Sequence, residues 1–247
     1  MRAVDAEHYW IAARFERREG WDGEAYPFNL PVVRALDELT FHPKVTFLVG
    51  ENGSGKSTLI EALAVAWGFN AEGGSKNFNF NTRASHSNLH EFVRPVRSAR
   101  QARDGFFLRA ESYFNVGTQI DELGAVGSYG GVSMHEQSHG ESFFALLDHR
   151  FRGAGLYILD EPEAALSPNR QLSFLVRMHE LIGRKSQFII ATHSPIILGY
   201  PDSWIYQTGP KGLERVDYEV TEHFEVTRNF LNRRQTFLDV LLDGDRS

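Results

Sequence analysis

The run Gly50-Glu51-Asn52-Gly53-Ser54-Gly55-Lys56-Ser57-Thr58 fits the pattern G-x-x-x-x-G-K-[ST]. Glycines at these points let the backbone curl so that successive N–H groups face an anion, and a helix starting directly afterwards adds its partial positive charge. The pattern therefore predicts a cradle for the phosphates of ATP. Lys56 is expected to reach the β- and γ-phosphates, and Ser57 to ligate Mg²⁺ through its hydroxyl. A glycine-rich turn that binds nothing is the bland alternative. The apolar run before the glycines and the helical spacing after them argue against it.

Two further groups of residues could share that chemistry. An apolar run ending in Leu156-Tyr157-Ile158-Leu159 delivers Asp160 and Glu161 to its C-terminal end, the edge at which open α/β sheets bind ligands. A division of labour follows from two carboxylates at one edge: Asp160 serves Mg²⁺, and Glu161 positions or deprotonates the attacking water. Acidic pairs after strands occur in many folds, so the pair gains meaning only beside the cradle. A third apolar run, Phe188 to Ala191, ends in Thr192-His193-Ser194-Pro195. If it lies parallel to the Asp160 strand, His193 opens on the same edge within reach of a γ-phosphate.

Elements must hold these residues in place. Val45–Val49, Gly155–Leu159 and Gln187–Ala191 read as short buried strands, and Thr58 to Trp67 as a helix with Leu59, Leu63 and Trp67 at helical spacing. Strand alternating with helix predicts an α/β fold with a mostly parallel core sheet. Tyr9 to Phe15, Ser203 to Gln207 and Leu213 to Val220 alternate in the manner of antiparallel edge strands. Thr221 to Leu242 reads as a closing amphipathic helix carrying Phe230, Phe237 and Leu241. Between Gly73 and Asp104 the chain is polar and locally basic, with Lys76, Arg83, Arg94, Arg97, Arg100 and Arg103 against Glu91 and Asp104. It is expected to form an insertion on the sheet, either a solvated face or a contact surface for nucleic acid or a partner.

Composition narrows the classes. The 247 residues, 42% of them hydrophobic, suffice for one substantial core. A formal net charge of −6 gives no global attraction to nucleic acid or anionic membrane. With no cysteine, disulfides and thiolate metal sites are excluded, which suits a reducing compartment. No stretch approaches the roughly 20 apolar residues of a membrane span, and the N-terminus has no apolar leader. A cytoplasmic location without membrane insertion is the resulting expectation.

Taken together, Gly50 to Thr58, Leu156 to Glu161 and His193 resemble the ABC-class ATPases, which include transporter engines, SMC-type chromosome proteins and RecF-like repair factors. That resemblance implies a P-loop NTPase fold of ABC type, here one domain over 1–247 with a small inserted lobe at about 73–137. It also calls for a signature before the acid strand. Ser138-His139-Gly140-Glu141-Ser142, 22 positions ahead of Asp160, looks like that signature, and His193, 32 positions after Glu161, like the switch histidine. Ser138 and Glu141 equally form an S-x-x-E capping box, and a capped helix start beside Gly140 is itself an anion site.

By resemblance, Ser138 and Gly140 would meet the γ-phosphate of ATP held by a second copy, which implies a head-to-tail homodimer assembled by ATP. An unknown protein partner or nucleic acid would be its client. The phrase Asp160-Glu161-Pro162-Glu163 resembles the OLD-like, stand-alone branch, while a transporter motor subunit is the alternative. Where many relatives carry Leu-Asp after the acid pair, this chain has Ala164-Ala165-Leu166-Ser167-Pro168. Glu111 is the substitute for the family's switch glutamine, and Tyr26 and Phe28 are the candidates for an aromatic stacked on adenine. Lys56 and Ser138 are 82 positions apart, too few for a long coiled coil.

Overall fold

Five consecutive apolar or β-branched residues such as Val45–Val49 have no solvent-facing side to offer, so they suit a strand covered on both faces. The computed structural model describes residues 7–75, 87–110, 117–118, 127, 133–209 and 211–243. Its strands are β1 (Trp10–Phe15), β2 (Glu38–Thr40), β3 (Val45–Val49), β4 (Val93–Arg97), β5 (Asp104–Arg109), β6 (Gly155–Asp160), β7 (Gln187–Ala191), β8 (Ser203–Gly209) and β9 (Gly212–Val216). The helices are α1 (Pro31–Arg34), α2 (Lys56–Trp67), α3 (His139–Arg150), α4 (Pro168–Gly183), α5 (Pro195–Leu198), α6 (Glu222–Asn232) and α7 (Arg234–Asp243).

Six strands form the central sheet in the order β5-β6-β7-β3-β8-β9. The first five of these run parallel, and β9 returns antiparallel to β8. Because side chains alternate across a strand, each core strand feeds two cores. Leu48, Leu156, Ile158 and Ile189 face α2 and the small sheet, packing with Leu59, Leu63 and Trp67. Phe47, Tyr157, Leu159, Phe188 and Ile190 face the other way, against Phe143 and Leu147 of α3 and Phe174 and Met178 of α4. The α/β fold with a mostly parallel sheet is thus the one expected.

A second sheet, β2-β1-β4, is antiparallel. Gln187 ties it to the central sheet. Its buried amide accepts from the N–H groups of Tyr9 and Trp10 and donates to the carbonyls of Trp10 and His42, which uses the full capacity of the side chain.

Four expectations change. The strand expected at Tyr9 to Phe15 is antiparallel but is no edge, because β1 lies between β2 and β4. The strand at 203–207 is no edge and is not antiparallel to its core neighbour: β8 pairs parallel with β3 and is flanked by β9. Its alternation reports two differently covered faces, which an internal strand can also show. The segment 213–220 is a strand only to Val216, after which Tyr218–Val220 make a 3-10 turn. The C-terminal helix is broken at Arg233, whose φ of −132° leaves the helical region. Phe230 and Phe237 meet across the break with ring centroids 6.1 Å apart, but no residue of α6 is buried, and Leu231 and Leu241 are exposed.

The basic segment contributes Asn88–Phe92, a 3-10 turn, and β4, paired with β1. Arg94 pairs with Glu16, Arg97 donates to the Trp67 carbonyl with its guanidinium 4.2 Å from that indole, and Arg100 donates to the Glu7 carbonyl. These three arginines serve internal contacts. Lys76 and Arg83 lie outside the described residues, as does most of 111–132.

Candidate functional site

The loop after β3 needs its glycines for different reasons. Gly50, Gly53 and Gly55 all have positive φ. A Cβ on Gly50 would stand 1.7 Å from Thr208 Oγ1, and one on Gly55 would stand 2.8 Å from Val32, whereas Gly53 faces open space. The first two are packed by neighbouring elements, and the third is needed for its positive φ. Lys56, first residue of α2, is buried, and its Nζ donates to the carbonyls of Gly50 and Glu51 at 2.8 Å each. Burial lowers the pKa of that ammonium, against the pull of the Glu161, Asp160 and Glu163 carboxylates. Asn52, Gly53, Gly55, Lys56, Ser57, Thr58, Tyr26 and Glu161 line one cleft of about 300 Å³.

The acid pair reaches the same place. Asp160 ends β6 and is buried, and Ser57 Oγ lies 3.4 Å from its Oδ1. A hydroxyl and a carboxylate so placed beside a phosphate cradle suit Mg²⁺, which takes few protein oxygens and fills the rest of its shell from phosphates and water. Glu161 adopts φ 52°, ψ 53°, the left-handed region, and its N–H donates to the Ala191 carbonyl. That turn throws its side chain off the sheet edge toward His193, whose Nε2 is 3.4 Å from Glu161 Oε1. His193, two residues past the end of β7, comes beside Glu161 because β6 and β7 pair in parallel, Asp160 opposite Ala191.

Two residues at this site escaped the sequence reading. Glu163 Oε1 accepts from the His193 N–H at 2.5 Å, fixing the backbone that carries the imidazole. It was visible as part of the Asp160–Glu163 phrase, though with no assigned role. His223, on α6, places Nε2 3.0 Å from His193 Nδ1. No local pattern marks it.

Ser138 caps α3 with the full capping box: its Oγ accepts from the Glu141 N–H at 3.4 Å, and Glu141 Oε2 accepts from the Ser138 N–H at 3.0 Å. Hydrogen bonds from the Ser138 hydroxyl and N–H hold the Glu141 carboxyl below its ordinary pKa. Ser138 and His139 are exposed, while Gly140 is buried, and a Cβ there would stand 2.8 Å from the Arg170 guanidinium. His139 and Glu161 line a neighbouring cleft of about 140 Å³ with Phe143 and Pro162. Ser167 caps α4, with Pro168 as the first helical residue, so the departure at 164–168 builds a helix start.

The two aromatic candidates separate. Tyr26 is exposed beside the cradle, its hydroxyl 3.2 Å from Thr58 Oγ1. Phe28 is buried against Trp21 and Phe92, so it is a core residue and cannot reach a ligand. Glu111 lies outside the described residues. Among the described residues, no helix is long and apolar enough to cross a membrane.

Comparisons with known proteins bear on the same segments. A family model described as "AAA domain, putative AbiEii toxin, Type IV TA system" matches residues 122–199, and one described as "AAA domain" matches residues 32–112. The second spans the cradle, and the first spans Ser138, the acid pair and His193. No characterised protein matches the chain in sequence. Among solved structures, cbiO1 from Clostridium perfringens, part of the ABC transporter complex cbiONQ, is 16% identical and aligns 93% of this chain with 98% of that one at a TM-score of 0.51. The SMC head domain from Thermotoga maritima is 20% identical over 72% of this chain and 92% of its own, at a TM-score of 0.38. The first of these likenesses shows the fold.

Proposed function

We propose that this chain is a P-loop ATPase of the ABC class that hydrolyses ATP with Mg²⁺ between two head-to-tail copies, using the resulting dimerisation to time the action of a partner; two AAA-domain family models and an ABC-type fold support this reading. The observation that carries this reading is the convergence of Lys56, Ser57, Asp160, Glu161 and His193 on one edge of the parallel sheet.

When ATP enters, the N–H groups around Gly53 and the start of α2 receive the phosphates. The Lys56 ammonium exchanges the carbonyls of Gly50 and Glu51 for phosphate oxygens, so the lysine stabilises the closed cradle without ligand and the charge with it. Ser57 and Asp160 would hold Mg²⁺, which neutralises charge on the phosphates. Glu161 orients the attacking water and takes its proton, and His193 turns its Nε2 toward the terminal phosphate. Ser138, exposed at the head of α3, offers a hydroxyl and a helix N-terminus to the nucleotide of a second copy. The same arrangement supports a homodimer with two shared sites, whose assembly is coupled to nucleotide state.

The test is the Glu161→Gln variant. It should bind ATP as wild type does, lose hydrolysis by about 10²- to 10⁴-fold, and accumulate as a dimer in light scattering. Wild-type turnover in Glu161→Gln removes the base from the reading, and a monomer at saturating ATP removes the dimer.

A further inference from the structure

A histidine switch acts only if the correct ring nitrogen carries the proton, and that is settled by what the other nitrogen meets. Nδ1 of His193 meets His223 Nε2 at 3.0 Å, with ring centroids 5.1 Å apart. His223 is held firmly. Thr221, fully buried, caps α6 by accepting from the Phe224 N–H while its hydroxyl donates to the Tyr218 carbonyl. Tyr218 in turn packs on Phe224 and donates to the Pro195 carbonyl, two residues beyond His193. The first turn of α6 is thereby locked to the loop bearing the switch.

Two arrangements of the shared proton are possible in a neutral pair. In one, His193 Nδ1–H donates to His223. The lone pair on His193 Nε2 then faces the Glu161 carboxylate at 3.4 Å, and His223 must carry its own proton on Nδ1, a buried atom with no hydrogen-bond partner among the described residues. In the other, His223 Nε2–H donates to His193 Nδ1. His193 then carries its proton on Nε2 toward Glu161, and the unpartnered His223 Nδ1 is a bare lone pair. Nε2 of His193 and Nδ1 of His223 are both buried atoms with no hydrogen-bond partner among the described residues, so either arrangement leaves one N–H without a hydrogen bond; the Glu161 carboxylate 3.4 Å from His193 Nε2 attracts a proton there and repels a lone pair, and this favours the second arrangement. Burial first, then His193 and Lys56, lower the pKa of His223, in keeping with a neutral ring.

We propose that His223 is a positioning residue, donating from Nε2 to His193 Nδ1 and so holding His193 with its Nε2–H directed at the catalytic carboxylate and the site of the terminal phosphate. This rests on the ATPase reading for its consequence, but not for its geometry.

Nitrogen NMR of histidine-labelled protein reads the tautomers without turnover. Wild type should show His193 protonated on Nε2 at neutral pH, and His223→Phe should lose that preference. In phosphate release, His223→Phe should lower kcat about tenfold or more with KM for ATP changed by less than about twofold, as loss of an outer-shell partner does. His223→Gln, which keeps an N–H donor, should recover most of the rate. The proposal is overturned by His193 protonated on Nδ1 in wild type, by a tautomer unchanged in His223→Phe, or by equal kcat in wild type and His223→Phe. If wild type releases no phosphate while His193 carries its proton on Nε2, the ATPase reading fails and the pairing stands.

Discussion

Ser57 Oγ and Asp160 Oδ1, 103 positions apart in the chain, lie 3.4 Å apart where the helix after β3 meets the end of β6. The contact exists because β3 and β6 both run parallel to the intervening β7, so their C-terminal ends open on one edge. Two hard oxygens there, next to the glycine-rich loop, suit the Mg²⁺ of the proposed reaction. Chelating Mg²⁺ should abolish phosphate release. Asp160→Ala should raise the Mg²⁺ concentration for half-maximal activity by about tenfold or more, read by titrating Mg²⁺ at fixed ATP. An unchanged requirement would take Asp160 out of the metal shell.

Tyr26 and Phe28 differ by two positions and have opposite fates. Tyr26→Ala removes an exposed ring beside the cradle, so it should weaken ATP binding, by about 1–3 kcal/mol if the ring stacks on adenine, and leave the thermal midpoint almost unmoved. Phe28→Ala empties a buried position and should destabilise the protein by about 3–5 kcal/mol. Calorimetric ATP titration and thermal unfolding of both variants check the division, and equal effects on both measurements would contradict it.

Asp104 starts β5 inside a cage formed by the Arg152 N–H at 2.9 Å, the Tyr157 hydroxyl at 2.7 Å and the Arg150 guanidinium at 2.6 Å. Burial pushes its pKa up, but those hydrogen bonds outweigh it and hold the carboxyl below its usual range. A carboxyl depressed in the folded state stabilises fully above its unfolded pKa and loses that contribution as pH falls through the folded value. Asp104→Asn should therefore cost about 1.5–3 kcal/mol at neutral pH, with the gap to wild type closing as acid protonates the native carboxyl. Urea midpoints measured from neutral pH downward test it, and a gap independent of pH would place the effect in packing alone.

Local pattern makes the cradle legible: Gly50, Gly53 and Gly55 announce backbone angles that other residues avoid, and the flanking strand and helix follow from the apolar spacing of residues 45–49 and 58–67. The same holds for β6, β7 and the carboxylates at the end of β6, since an unbroken apolar run has no alternative to burial on both faces. Alternation was a poorer guide at Ser203 to Gln207. It records how unlike two faces are, and the neighbouring strand is chosen by chain topology.

What residues 1–247 determined by themselves was which groups can do phosphate chemistry, because side-chain type and the demands of a tight anion-binding turn are local properties. Tertiary structure alone decided which of them meet: that Phe28 turns inward while Tyr26 stays at the cradle, that Glu163 grips the backbone of His193, and that His223 arrives from α6 to face its ring. Such pairings span 30 residues, and hydrogen bonds of that range depend on how strands and helices stack rather than on any spacing along the chain.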